Sequence, residues 1–400
     1  MAHQMRTVTG ILMLSAILLV GGCASPFDDD LYRTWQDRDP DQWQLADNGA
    51  THSRTTLRSR LAATSGESAS TDTTAISRGG GVDGYVRAAL DHNPSIRAAE
   101  RRVKRFGARV PQVTSLDDPM FQIAPFGDMA ETASGQVGLM TGLSQKLPFP
   151  GKLDTRGRIA EQDVAMALAD LRQTRLRVVA DTRRAYWSYY FTTRALQSTR
   201  ESRSLLSKLK QIAETQYKAG TRSQTDVLRA SVELSNLDSE LITLGQRQAT
   251  ARSMLNQLMD RPIDAALPEP QVVEPEHLDT GLDALLSTAA RHNPAIAKVH
   301  ERIEQFRQRQ KLARLNRWPD LTVSANYNAV DDEGLSMAAT GDDQWWFGFG
   351  VNLPIWTEKY EAAEREALQG RLEGVADLPA ELNSMEFQVQ YTYLMIKAQK

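Results

Sequence analysis

Three stretches of the chain alternate apolar with small or polar residues, a period of two that predicts β-strands. They lie at 135–147, 321–328 and 345–353, and a weaker fourth surrounds 121–123. Strands of about 9–11 residues with one apolar face are typical of transmembrane barrels, whose apolar side chains face lipid. A half-buried soluble sheet would alternate in the same way. On the membrane interpretation, the lipid-facing residues are Val137, Leu139, Leu143, Val323, Phe347, Phe349 and Val351.

Aromatic residues favour the membrane interpretation. Trp345, Trp346 and Trp356 lie in or just after the third stretch, and aromatic rings collect at the two interfaces of a membrane barrel. Four strands are too few to close a barrel in one chain, and an open sheet edge is not tolerated in lipid. We therefore expect several copies to share one barrel, and a homotrimer with four transmembrane strands per chain would supply twelve.

The other long pattern is helical. Between residues 153 and 219 there is no proline and only one glycine, Gly157, and apolar residues recur at three- and four-residue steps, as in a coiled coil. A return helix to about residue 259 follows a turn in which Gly220 suits a helix C-cap and Ser223 an N-cap. The chain is therefore predicted to be mainly α, built from long antiparallel coiled-coil hairpins with a small β part.

The sequence contains an internal repeat. His92-Asn93-Pro94 recurs as His292-Asn293-Pro294, 200 residues later, and Leu147-Pro148 recurs as Leu353-Pro354, 206 residues later. A repeat of this size is a duplicated half and not a solenoid unit. We expect a first repeat at 81–262, a linker at 263–280 and a second repeat at 281–400. The second repeat lacks a counterpart of residues 196–260, so we expect it to be incomplete at its C-terminus.

The N-terminus carries the pattern of an export signal. An apolar run from 11 to 20 is too short to span a membrane, and it ends at Gly21-Gly22-Cys23, which resembles a bacterial lipobox. The alternative is an ordinary signal peptide with an incidental cysteine. We expect a signal peptide at 1–22, lipidation of Cys23 and a flexible tether over 23–80, where apolar content is low.

Composition narrows the class of protein. The formal charge is −3, which removes the basic footprint of a nucleic-acid binder. One cysteine and six scattered histidines, no two of them at i,i+4 spacing, give no basis for a metal site. No nucleophile, base and orienter cluster and no phosphate loop appears. We therefore expect no enzyme activity, no catalytic residues and no cofactor.

Taken together, the lipobox, the duplicated halves, the strand pairs ending in Leu-Pro and the long hairpin resemble the TolC family of outer-membrane efflux channels. The stretch 145–153 is similar to a Pro-rich bend in the branch that includes heavy-metal efflux channels. The resemblance implies a trimer whose twelve-strand barrel continues into the periplasm as a tunnel of helices. It further implies that the hairpin tip binds a membrane-fusion adaptor of an inner-membrane, RND-type pump, through Tyr217, Gly220, Thr221, Arg222, Ser223 and Asp226.

The expected function is therefore the outer-membrane channel of a tripartite efflux system that exports metal cations or drugs, anchored by lipid and extending into the periplasm. At the tip, the hydroxyls of Thr221 and Ser223 are expected to be available to the adaptor. Two alternatives remain. A periplasmic coiled-coil structural or adaptor lipoprotein would not require a lipid-facing sheet, and a type I protein-secretion channel would have the same fold with a different cargo.

Overall fold

A computed structural model of the chain describes residues 81–126, 131–221, 223–271, 279–332 and 340–398. Within these ranges the chain forms eight α-helices and five β-strands. The helices are α1 (Val82–His92), α2 (Pro94–Gly107), α3 (Arg109–Thr114), α4 (Lys152–Lys218), α5 (Gln224–Leu258), α6 (Leu282–His292), α7 (Pro294–Leu315) and α8 (Thr357–Ala398). The strands are β1 (Met120–Pro125), β2 (Glu131–Thr132), β3 (Gly135–Leu147), β4 (Leu321–Asp331) and β5 (Gln344–Val351).

Several sequence predictions fall outside the described residues. These are the signal peptide at 1–22, the lipidation site Cys23, the tether at 23–80, the tip residue Arg222 and part of the linker at 263–280. Among the helices of the described ranges, none combines the length and the apolarity that a membrane-crossing helix requires.

Each of the two His-Asn-Pro motifs lies between the end of one helix and the start of the next. Asn93 ends α1, and its Oδ1 accepts a hydrogen bond of 2.9 Å from the Ser95 amide at the start of α2. Asn293 accepts from the Ala295 amide at 2.9 Å, at the start of α7. Asparagine is a favoured N-cap, and proline suits the first helical position because it lacks the N–H that would stay unpaired there. Each motif therefore ends one helix and begins the next.

The strands form one antiparallel sheet in the order β1-β3-β4-β5, and β2 pairs with the start of β3. The pairing of β3 with β4 joins the strands of the two predicted repeats, from Leu147 opposite Leu321 to Gln136 opposite Asp331. Its register shifts by one residue between Val137 and Leu139, which is a β-bulge at Gly138. The mainly helical chain with a small antiparallel sheet agrees with the prediction.

The chain divides into two compact units, and each draws on both predicted repeats. The described part of the first unit, residues 104–126, 131–166, 296–332 and 340–391, contains the sheet. In it α7 and α8 pack closely because Gly370 and Gly374 lie against Phe306 and Ile303, with no room for a Cβ. The side chain of Arg302 on α7 pairs with Glu373 and Asp377 on α8, and that of Arg314 pairs with Glu364.

The described part of the second unit, residues 81–103, 167–221, 223–271, 279–295 and 392–398, contains α5 and most of α4, which form a hairpin. Arg203 and Asp238 pair across this hairpin. The ring of Tyr186 on α4 lies 5.3 Å from the ring of Tyr85 on α1. Both rings are buried, and burial raises the pKa of Tyr85.

Candidate membrane-facing sheet and hairpin tip

One face of the sheet, which we call the apolar face, exposes large hydrophobic side chains. On β5 the exposed fractions of Phe347, Phe349 and Val351 are 61%, 76% and 57%. On β1, Phe121 and Ile123 are also exposed. Large apolar side chains so exposed at both edge strands of one face of a sheet mark a surface that contacts lipid or another protein. The structure therefore brings the predicted residues of β5 together on one exposed surface.

The opposite face, which we call the polar face, carries small and neutral polar residues. Gly142 lies opposite Asn326, and Gly348 lies opposite Ser324. A Cβ at Gly142 would stand 2.7 Å from Asn326 Oδ1, and one at Gly348 would stand 2.6 Å from Ser324 Oγ. Glycine at these positions therefore leaves the space that the polar side chains of β4 occupy. Larger residues on the same face include Trp346, Met120 and Met140.

Val137 departs from the other predicted lipid-facing residues. It is buried and lies opposite Val330, which is buried too, whereas Leu139 lies opposite Ala329. Because successive residues of a strand point to opposite faces, the extra residue at Gly138 changes the phase of the alternation. Val137 therefore does not share the face of Leu139, and the even alternation assumed from the sequence is wrong at this end of β3.

A buried ion pair holds the junction where the strands meet the helices, outside the strands themselves. Lys152 begins α4, Asp320 precedes β4, and their side chains are almost fully buried. Lys152 Nζ donates to Asp320 Oδ1 at 2.6 Å and to the Trp318 carbonyl at 2.8 Å. The Phe149 amide donates to the same carboxylate at 2.9 Å, and Lys146 Nζ lies 3.3 Å from its Oδ2. We call this arrangement the junction network.

The charges around Asp320 set its protonation state. Burial by itself raises the pKa of the carboxyl, but hydrogen bonds from Lys152, the Phe149 amide and Lys146 outweigh burial, so the pKa lies below its ordinary range. The Asp320 amide also donates to Asn352 Oδ1, after β5, at 2.5 Å. The carboxylate therefore stays ionised at neutral pH and ties the connection after β3 to the residues flanking β4.

Aromatic stacking reinforces the junction network. The rings of Phe149 and Trp318 are stacked with centroids 5.4 Å apart. No local sequence pattern predicts this site, since Lys152 and Asp320 are 168 residues apart in the chain. The only signal was the proline next to each half, Pro148 and Pro319, because proline fixes the backbone where a strand begins or ends.

The hairpin tip has the cap geometry that the sequence predicts. Gly220 has a φ of +76°, a conformation that favours glycine. Its amide donates to the Tyr217 carbonyl and the Thr221 amide donates to the Gln216 carbonyl, each at 2.9 Å. This pair of bonds is a Schellman motif. Ser223 caps α5, where its Oγ accepts from the Thr225 amide at 3.2 Å.

The tip hydroxyls, however, are engaged within the chain. Thr221 Oγ1 donates to the Gln216 carbonyl at 2.9 Å, and Ser223 Oγ serves the cap of α5. Each hydroxyl therefore already makes a hydrogen bond within the chain and offers a partner its remaining acceptor capacity, and contact with an adaptor stays a prediction. Side chains remain for contact, because Tyr217 is 45% exposed and no atom outside the turn lies within 4 Å of a Cβ placed on Gly220. Asp226 lies in the first turn of α5.

Comparison with known proteins agrees with this fold. Residues 85–261 match the sequence model of a family described as outer membrane efflux protein, which is not a family of enzymes. The computed structure resembles a crystal structure of CusC with a TM-score of 0.64 at 18% identity, over 78% of this chain and 75% of CusC. It resembles the CmeC outer membrane channel of Campylobacter jejuni with a TM-score of 0.62 at 16% identity, over 80% and 73%. The predicted resemblance to outer-membrane efflux channels is confirmed.

The sequence is also similar to that of a curated efflux pump outer membrane protein. The toluene efflux pump outer membrane protein TtgF of Pseudomonas putida is 24% identical over 290 residues, which is 68% of this chain. The chain spans 59% of the length of TtgF.

Proposed function

We propose that this chain, which resembles the outer membrane efflux protein family over residues 85–261 and has the fold of solved outer-membrane channels, is the outer-membrane channel of a tripartite efflux system. The observation that carries the proposal is the sheet, with an exposed apolar face on β1 and β5 and a polar face lined by glycine, serine and asparagine. A sheet with these two faces suits a wall between lipid and water.

The rest of the assembly follows from the same sheet. In lipid every backbone N–H and C=O needs a partner, so the edges of β1 and β5 require other strands. Three copies would give the twelve strands expected from the sequence, and Cys23 would add a lipid anchor to the same outer membrane. The cap geometry of the tip supports a rigid, exposed turn at which an adaptor of an inner-membrane, RND-type pump binds.

The substrate class is proposed from the relatives. TtgF is described as part of a toluene efflux pump, and a second relative from Pseudomonas putida, SrpC, as part of a solvent efflux pump. The sequence left metal cations and drugs as possible substrates, and these names favour small organic solutes such as drugs over metal cations. They also favour efflux over protein secretion and over a purely structural role in the periplasm.

Export by the native host tests the proposal. The gene for this chain is deleted and supplied again on a plasmid, and cells are assayed for growth with toluene and for retention of a fluorescent organic efflux substrate. We expect deletion to raise retention and lower tolerance, and the wild-type chain to restore both. Growth with Cu²⁺ or Zn²⁺ serves as the matched assay for metal export.

Variants and outcomes separate the alternatives. Phe349→Arg on the apolar face is expected to fail to restore export, while Phe349→Leu restores it. Unchanged retention of every solute after deletion would contradict the efflux proposal, and the loss of a secreted protein instead would support the secretion channel. The anchor is tested separately, because Cys23→Ser removes the thiol that lipidation requires and should abolish fatty-acid labelling.

A further inference from the structure

The chain contains an internal example of how two repeats join through their strands. The last long strand of the first repeat, β3, pairs with the first strand of the second repeat, β4. We call this pairing the internal junction. At the outer edges of the sheet lie β1 and β5, and in the described part of the chain neither has a strand on its outer side. Each outer edge therefore carries a counterpart of one strand of the internal junction, since β5 corresponds to β3 and β1 corresponds to β4.

The sheet register fixes which residues correspond. The Leu-Pro repeat places β3 on β5 with a shift of 206 residues, so that Gly142 corresponds to Gly348. Met120 of β1 pairs with Ser144, whose counterpart Gly350 pairs with Thr322 of β4. Met120 therefore corresponds to Thr322, which places β1 on β4 with a shift of 202 residues.

The residue pairs of the internal junction therefore predict the pairs at the outer edges. Each β3 residue is replaced by its β5 counterpart, 206 residues later, and each β4 residue by its β1 counterpart, 202 residues earlier. At the internal junction Gln145 lies opposite Val323, and Thr141 lies opposite Tyr327. The counterparts of the first pair are Val351 and Phe121, and those of the second are Phe347 and Pro125.

We propose that β5 of one copy pairs with β1 of the next copy in this register, with Val351 opposite Phe121, Phe349 opposite Ile123 and Phe347 opposite Pro125. The proposal rests on the proposed function, since a closed ring of three copies is the assembly it describes. A head-to-tail contact between two different edges closes into a ring when the rotation allows it.

The faces of the sheet agree with this register. Phe349 and Ile123, which it places opposite each other, are both exposed on the apolar face. On the polar face it places Gly350 opposite Gln122. A slip by one residue would put a phenylalanine of β5 beside a polar-face residue of β1, because a one-residue slip exchanges the faces. The apolar surface is therefore continuous from one copy to the next in this register.

The new contact differs from the internal junction in its charges. Asp118 corresponds to Asp320 and is exposed, but the counterparts of Lys152 and Lys146 are Glu358 and Asn352. The buried ion pair is therefore not repeated between copies, and strand pairing with the apolar surface holds them together.

Cysteine pairs test the register in the full chain, isolated in its membrane. Two variants are in register, Val351→Cys with Phe121→Cys and Phe347→Cys with Pro125→Cys. Two crossed variants exchange the partners, Val351→Cys with Pro125→Cys and Phe347→Cys with Phe121→Cys. In the crossed variants the partners are four residues out of register, about 13 Å along a strand. Within one copy, β1 and β5 are three strand spacings apart, about 14 Å, so a short thiol crosslinker reports contacts between copies.

We expect both in-register variants to give crosslinked dimers and trimers on non-reducing gels, at least tenfold more than the crossed variants. Each single cysteine variant retains Cys23 and measures any link through it. Linking in the crossed variants alone, or equally in all four, overturns the register. An amine-reactive crosslinker applied to the wild-type chain tests the three-copy assembly separately from the register. If it gives trimers while the in-register cysteine variants do not crosslink, only the register is refuted. Monomers with both reagents refute the proposed assembly as well.

Discussion

The junction network offers a sharp quantitative prediction. Lys152 and Asp320 are both almost fully buried and joined at 2.6 Å, so removing one partner leaves a buried charge with less compensation. Removing one member of a buried ion pair costs about 3–5 kcal/mol, whereas replacing both members is often close to neutral. Asp320→Asn removes the carboxylate that Lys152 and Lys146 both contact, so we expect about 3–5 kcal/mol of destabilisation.

The partner variants give the matched comparison. Lys152→Met keeps an aliphatic side chain of similar length. It should lower the free energy of unfolding by less than Asp320→Asn does, because Lys146 still lies 3.3 Å from the Asp320 carboxylate. The double variant should cost less than Asp320→Asn alone, about 2 kcal/mol or below. Urea unfolding of the purified protein in detergent, followed by far-ultraviolet circular dichroism and by tryptophan fluorescence, measures the three free energies.

Two results would refute this reasoning. If Asp320→Asn changes the free energy of unfolding by less than about 1 kcal/mol, the network does not stabilise the junction. If the cost of the double variant equals the sum of the two single costs, Lys152 and Asp320 act independently, since coupled residues deviate from additivity by about 0.5–3 kcal/mol.

Three further predictions concern pH, lipid and the tip. The pKa of Asp320 is lowered in the folded chain, so its contribution to stability is present above the unfolded pKa of about 3.9 and is lost as the pH falls through the folded pKa. In urea titrations, the difference in free energy of unfolding between the wild type and Asp320→Asn should therefore shrink from about pH 5 to about pH 2. A difference that stays constant over this range would contradict the prediction. Phe349→Arg should reduce assembly into the outer membrane far more than Gly350→Arg, since a charge facing lipid costs about 2–4 kcal/mol at mid-membrane, and equal yields in membrane fractions would contradict the assignment of faces. Tyr217→Ala should lower crosslinking to the adaptor without lowering the melting temperature, while Tyr217→Phe keeps it; full crosslinking by the alanine variant would remove Tyr217 from the contact.

The sequence predicted the parts of the fold that depend on neighbouring residues. Alternation over 345–353 identified β5 and its exposed face, because successive strand residues point to opposite sides. Gly220 and Ser223 marked the ends of two helices because caps depend on local backbone geometry. The two His-Asn-Pro motifs marked helix starts for the same reason.

Features that depend on distant partners were beyond the sequence pattern. The bulge at Gly138 appears only in the pairing of β3 with β4, so Val137 was placed on the wrong face. Lys152 and Asp320 look like ordinary charged residues until the fold brings them together across 168 residues. The hydrogen bond of the Thr221 hydroxyl could not be read from the sequence either, because its acceptor is the backbone carbonyl of Gln216.

The proposed channel requires that the sheet separates lipid on its apolar face from water on its polar face. Cysteine substitutions at each position from 345 to 351, tested in intact outer membranes with a membrane-impermeant maleimide, measure this directly. We expect labelling to be weak at 345, 347, 349 and 351 and strong at 346, 348 and 350. A fluorophore attached at the weakly labelled positions should be quenched by nitroxide-bearing lipids. Uniform labelling along β5, with no quenching by lipid at Phe349, would contradict it.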